Sequence, residues 1–356
     1  MKYTTLGLAA SVLLAFGSLA YAQPVAGCGP ESATDPKPIE HTPARCTPGF
    51  PAAKPLPQKT TLVITTPLPN GEYFAPIQIG ILKGEFEKEN LDMQIQVIPS
   101  SDAMQLSVQG KVDVIWNSPD AGTLNAIAQG FDIAWVAGNF TPPLSSKQGL
   151  WGRKGAKLSD LKGKVVGSAV GAGSMTMLPI DNALRKAGIS VHDITLQRLD
   201  TGSTATALKN GAVSAAWVLD PLWIVLEKDP DFEFLAGQTP GEPLGGPIFG
   251  PNLLRKDRAA GEAFIRAYVR ILSTYFNGDF EANPAFLDDL SKALKLPAET
   301  IRATPSAVWD WEIRSGTTDR AQAIMMPAKA LNYPTPLPEA KVVDRSFYQA
   351  VTGRKM

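Results

Sequence analysis

From residue 61 onward, short apolar runs alternate with stretches in which apolar residues recur at helical spacing. Thr61–Thr65 reads as a β-branched strand, and Pro67-Leu-Pro-Asn70-Gly71 as a turn. Phe74, Ile77 and Ile81 then keep one helical face up to Gly84. Met93–Ile98 alternates apolar and polar residues, the pattern of a half-buried strand, and Ser100 or Ser101 can cap the helix after it. Leu124, Ile127 and Phe131 return to helical spacing, and Ile133–Ala137 is another strand. The alternation continues through a short helix broken at Gly163, a strand into Ser168, a helix running to Gly188 and a strand at Ile194–Leu199. Beyond Gly245-Gly246-Pro247 the chain becomes mainly helical. Phe264, Ala267, Tyr268, Ile271 and Tyr275 form one stripe, and helices are predicted over 284–294, 297–303 and 307–313. The class is α/β with mostly parallel sheets flanked by helices.

One unit occurs twice. Leu106-Ser-Val-Gln-Gly110-Lys-Val112-Asp-Val114-Ile-Trp116-Asn117-Ser118-Pro119 is matched by Leu208-Lys-Asn-Gly211-Ala-Val213-Ser-Ala215-Ala-Trp217-Val-Leu-Asp220-Pro221. Each copy reads as a helix stopped by Gly, a strand closing on Trp, then a capping residue and Pro at the next helix start. Two lobes built alike, each with helix N-termini at the carboxyl ends of its strands, suit a molecule that grips a ligand between them.

The N-terminal region lies outside this alternation. Residues 1–22 form a secretory signal peptide: Lys2, an apolar core from Leu6 to Ala20, and an Ala20-Tyr21-Ala22 cleavage site. Val25-Ala26-Gly27-Cys28 offers the alternative of a lipoprotein box with a lipid-anchored Cys28. Nine prolines between Pro24 and Pro57 make residues 23–59 an extended arm. The chain's two cysteines, Cys28 and Cys46, are expected to form a disulfide within it. Lys and Arg together number 34, as do Asp and Glu, so no basic excess points to nucleic acid.

The ordered set of segments resembles the NMT1/THI5-like periplasmic solute-binding proteins of nitrate, sulfonate, taurine and thiamine-pyrimidine importers. The residues that carry the resemblance are Gly80-Ile-Leu-Lys-Gly-Glu-Phe86, Gly110-Lys-Val-Asp113, Asp160-Leu-Lys-Gly-Lys-Val165, Gly173-Ser174, Gly211 to Pro221 and Ala293-Leu-Lys-Leu-Pro297. It implies a type II two-lobe fold whose chain crosses the hinge near residues 144–150 and 243–250. Lobe 1 would comprise 60–146 and 247–356, and lobe 2 would comprise 147–246. It also implies a monomeric receptor that closes on a small organic solute and delivers it to the membrane permease of an ABC importer, with no cofactor.

Five loops would face the cleft. Asn70 and Tyr73 follow the first strand; Tyr73 could stack on a planar ligand. In Asn117-Ser118-Pro119-Asp120, Ser118 serves either as N-cap, with Pro119 at N1, or as a ligand contact. Phe140 precedes the first crossing as a cleft wall or a hinge residue. Gly171-Ala-Gly173-Ser174-Met175-Thr176 resembles a glycine-rich turn into a helix N-terminus, whose free amides would face an anion. Pro179 places the cap nearer Thr176 than Ser174. Asp220 and Trp223 offer a cap and an aromatic lid, and Phe249 stands at the second crossing. Trp116, Trp135 and Trp217 read as core. These loops hold no Lys or Arg but do hold Glu72, Asp120 and Asp220, which leaves the sign of the ligand's charge open. His41 and His192 are far apart in sequence, and no triad or metal-spaced cluster can be assembled, so an enzyme is not expected. A periplasmic sensor for a membrane kinase would use the same site.

Overall fold

The computed structural model describes residues 40–47, 49–238 and 241–354. The signal peptide, the lipoprotein box and Cys28, with the expected disulfide to Cys46, fall outside the described residues. In chain order the strands are β1 (Thr60–Thr66), β2 (Leu91–Val97), β3 (Val114–Asn117), β4 (Ala134–Trp135), β5 (Phe140–Thr141), β6 (Gly149–Arg153), β7 (Val165–Ser168), β8 (Thr195–Arg198), β9 (Ala215–Val218), β10 (Phe232–Gly237), β11 (Gly246–Phe249) and β12 (Val308–Trp309). Ten of them form two five-stranded sheets, ordered β2-β1-β3-β11-β4 and β10-β6-β9-β7-β8, and β5 pairs with β12 in a two-stranded sheet.

The sequence repeat is a repeat of topology. In each sheet a central strand (β1 or β7) pairs in parallel with the next strand on one side and with the Trp-bearing strand on the other. Beyond the Trp strand lies an antiparallel strand delivered from the opposite sheet: β11 against β3, and β6 against β9. The chain leaves the first sheet after β4, enters the second at β6 by way of β5, and returns between β10 and β11. The helix stops also match. Gly110 and Gly211 both sit at φ +74. Lys111 and Ala212 donate their backbone N–H back to Leu106 and Ala207, so each helix ends in a glycine-dependent Schellman turn. Trp116 and Trp217 fill the two cores, and Trp116 is wedged edge-on between Phe74 and Tyr268.

The helical stripe becomes the helix Arg258–Tyr275, buried along one face of the first sheet. Helix Pro284–Leu294 has the predicted bounds, because Asn283 caps it. The Asn283 side chain accepts from the N–H of Ala285 at 3.1 Å and of Phe286 at 3.4 Å. Asn283→Ala should cost about 1 kcal/mol, read as a lowered urea midpoint with an unchanged m-value.

Two expectations are corrected. Residues 307–313 are not a helix: Val308 and Trp309 form β12, which pairs antiparallel with β5 beside the first crossing. Strand-like alternation explains this, since Val308, Trp309, Trp311 and Ile313 are buried apolar while Asp310 and Glu312 face the Arg45 guanidinium. The Pro-rich arm is extended, yet its described part is docked rather than free. Leu56 exchanges hydrogen bonds with Glu89 and Asn90, and Arg45 is buried against Asp310. Further on, helix Thr317–Met325 packs its Ile324 and Met325 into one apolar cluster with Ile180 and Leu184 of the second lobe.

Candidate functional site

The predicted cleft loops fall into two groups, one forming a contact between the lobes and the other lining a cavity. The contact joins the Asn117–Asp120 loop to the glycine-rich turn. The Ala121 N–H donates to the Gly173 carbonyl at 2.8 Å. Gly173 sits at φ +91, and a Cβ there would lie 3.0 Å from the Ala121 Cβ and 3.3 Å from the Ala330 Cβ. Glycine is needed here both for its backbone angle and for this close approach.

Two of the motif's expected free amides are engaged within the turn itself. Gly173 N–H points at the Met177 sulfur at 3.0 Å, and Ser174 N–H at the Gly171 carbonyl at 3.3 Å. Met175 is buried in the core, while Ser174 Oγ is sealed from solvent without a hydrogen-bond partner. Thr176 is the N-cap residue of helix Met177–Arg185 but makes no side-chain cap bond. The cap of the facing helix is Asp120, not Ser118: its carboxylate accepts from the Thr123 N–H at 3.1 Å. Asp120 spends its side chain on that bond, and burial nonetheless raises its carboxyl above the usual range.

The second group surrounds a cavity of about 630 Å³ lined by Trp223 from one lobe and by Asp279, Glu281, Arg302, Thr304 and Ser306 from the C-terminal region. That region belongs to the first lobe's core through Phe280 and Phe286, whereas Trp223 packs in the second lobe's own cluster. Three acids converge here from distant parts of the chain. Glu281 is 4% exposed, and its Oε1 has no hydrogen-bond partner. Burial, then the charges of Glu72, Asp279 and Asp220, push its carboxyl up to about 9. Glu72 opens the short turn after β1 with its own Oε1 buried and unpartnered, and burial with the nearby Asp220 raises it to about 8. Asp220 is raised by burial to about 6, although the Trp223 indole N–H donates to it and Ser146 hydrogen-bonds to it.

Other predicted residues take structural places. Tyr73 OH meets the Thr66 hydroxyl at 2.5 Å, and its carbonyl accepts from the Trp116 indole at 2.7 Å. Asn70 is exposed on the turn. Asn117 and Ser118 end β3 against Gly245, where a Cβ would lie 2.8 Å from Ser118 Oγ. Phe140 lies on β5 with its ring 5.1 Å from that of Trp309. Phe249 is fully buried between Phe264 and Phe347, with no face open to a ligand. Trp223 is 4% exposed, a cavity wall rather than a swinging lid. Sequence reasoning missed Asp279, Glu281, Thr304 and Ser306. Their one signal is the Asn277-Gly278-Asp279 break between helices, which says nothing of what the loop faces.

The family model described as "NMT1/THI5 like" matches residues 72–234. No curated protein matches the chain. Among solved structures, the alkanesulfonate-binding protein SsuA from Xanthomonas axonopodis pv. citri, bound to MOPS, aligns with a TM-score of 0.58 at 19% identity over 81% of this chain and 99% of that one. The periplasmic aliphatic sulphonate binding protein SsuA from Escherichia coli aligns with a TM-score of 0.59 at 16% identity over 84% and 100%. The desulfurization enzyme DSZB aligns with a TM-score of 0.51 at 12% identity over 82% and 97%. These likenesses establish the fold, which is the expected two-lobe periplasmic-binding-protein arrangement, and they include both binders and an enzyme.

Proposed function

We propose, for a chain of the NMT1/THI5-like family carrying the two-lobe binding-protein fold, that it is the solute-binding component of an ABC importer. The observation that carries this reading is the cavity walled by Trp223 on one side and by Asp279–Ser306 on the other, between bodies joined by two strand-to-strand crossings. A solute filling it touches both lobes at once, so binding energy favours the closed form that a permease would recognise. The same reading places the protein in the periplasm after cleavage behind Ala22, as a monomer, with the hinge at the β5–β6 and β10–β11 connections.

Catalysis has less support. His192 is exposed at a surface turn, and among the described residues no three His, Cys, Asp or Glu side chains are placed to hold a metal ion. A sensor feeding a membrane kinase would share the cavity; adjacent permease and ATPase genes favour import over sensing.

The test is thermal unfolding of the mature chain against small solutes, with co-purified ligand first removed by unfolding and refolding. A true ligand at about 100 times its Kd adds about 2.7 kcal/mol and should raise Tm by several degrees. No response to any charged, neutral or aromatic solute would end the receptor reading.

A further inference from the structure

We infer that the cavity beside Trp223 takes an organic cation, its ammonium group held by Glu281 and Asp220 and its carbon frame against the Trp223 indole. This rests on the reading of the cavity as a solute site and concerns the charge of what enters it.

The geometry argues by contrast. Elsewhere the protein pairs its buried acids: Glu89 with Arg266 and Arg270, Glu85 with Arg270 and Lys88, Glu242 with Arg320. At the cavity it does not. Glu281, nine-tenths buried and more, keeps Oε1 without a partner, and Glu72 does the same. The lining's single cation is Arg302, which is exposed and makes no ion pair with Glu281. Against it stand Asp279, Glu281 and, within electrostatic reach, Glu72 and Asp220. Asp279 is already engaged by the Ser306 hydroxyl at 2.8 Å, which leaves Glu281 as the open acceptor.

A buried carboxyl without a donor is costly, and a ligand that brings the donor and the charge recovers that cost. The acids are not clustered for a bare metal ion. Asp279 and Glu281 line a space of about 630 Å³ with one indole wall, dimensions that suit an amine or quaternary ammonium on a ring or short chain. An anion would meet Asp279 and Glu281 in the lining, with Glu72 and Asp220 within electrostatic reach, and one exposed arginine.

The experiment compares choline, putrescine and benzylamine with ethanesulfonate, benzoate and nitrate at matched ionic strength near neutral pH, read by thermal unfolding and calorimetry. At least one ammonium probe should stabilise the protein, and its binding should release protons, seen as an enthalpy that varies with the buffer's ionisation heat. Glu281→Gln, which keeps the side chain's volume, should weaken that probe at least about tenfold while circular dichroism stays unchanged. Stabilisation by an anion alone would overturn the cation and leave the receptor reading intact. Stabilisation by no probe would count against both. An ammonium response that Glu281→Gln leaves untouched would overturn the site.

Discussion

The double variant Glu72→Gln/Glu281→Gln should be more stable than the wild-type chain at pH 9, by several kcal/mol, and equal to it near pH 4. In the folded protein the two carboxyls titrate at about 8 and about 9 against an ordinary value of 4.5. Between these limits the folded state binds more protons than the unfolded one, so stability falls as pH rises from about 4.5 towards 9. Below that window both states are protonated and the penalty vanishes. The groups facing the pair are Asp220 and Asp279, which add repulsion, and Arg302, which relieves a little of it. Because the charges repel one another, each single variant should recover more than half of the gain. Urea unfolding at pH 5, 7 and 9 checks this: the wild-type and double-variant stabilities must diverge as pH rises. Parallel lines would show that the two carboxyls are solvated and the cavity is not an electrostatic trap.

What the chain reveals in sequence and what it conceals follow the range of the interactions concerned. The helix stops at Gly110 and Gly211, the Asn283 cap and the Trp-bearing strands are set by residues within one turn of each other, so local spacing finds them. Residues 307–313 mislead because Val308, Trp309, Trp311 and Ile313 fit both a helical face and an alternating strand; pairing with Phe140 and Thr141, far back in the chain, decides for the strand. Choosing Ser118 over Asp120 as cap is the same error on a shorter scale, since either residue can serve and only the register of the turn selects one. The glycine-rich turn is legible as a close approach, but not what approaches it. The approaching element is Ala121 of the opposite lobe. The acidic cavity was half visible, in the absence of Lys and Arg from the loops around Glu72 and Asp220. Its deepest member, Glu281, lies 61 residues beyond Asp220 in a helical region with no local mark of a site.

Arg270→Leu should act in the opposite sense to the cavity variants, and the opposition separates scaffold acids from site acids. Arg270 is 5% exposed, and its guanidinium donates to Glu85 Oε2 and Glu89 Oε1, each at 2.7 Å, and to the Glu85 carbonyl at 2.8 Å. Burial alone would raise the Glu85 carboxyl, but hydrogen bonds from Arg270, Lys88 and Tyr275 outweigh it and hold it below the usual range. Removing the guanidinium takes the shared buried partner from two carboxylates, leaving Glu89 to Arg266 and Glu85 to Lys88 and Tyr275, at a cost of roughly 3–5 kcal/mol near neutral pH. A carboxyl whose folded pKa is depressed contributes stability above its unfolded value and loses it as pH falls. The deficit of the variant should therefore shrink on acidification through about pH 4.5, where the Glu85 carboxyl takes up its proton. Urea unfolding at pH 4 and 7 measures both ends. A deficit independent of pH would mean that Arg270 contributes packing rather than charge. The helix Arg258–Tyr275 thus neutralises its buried acids from within the fold, whereas Glu72, Asp220 and Glu281 wait on a charge from outside.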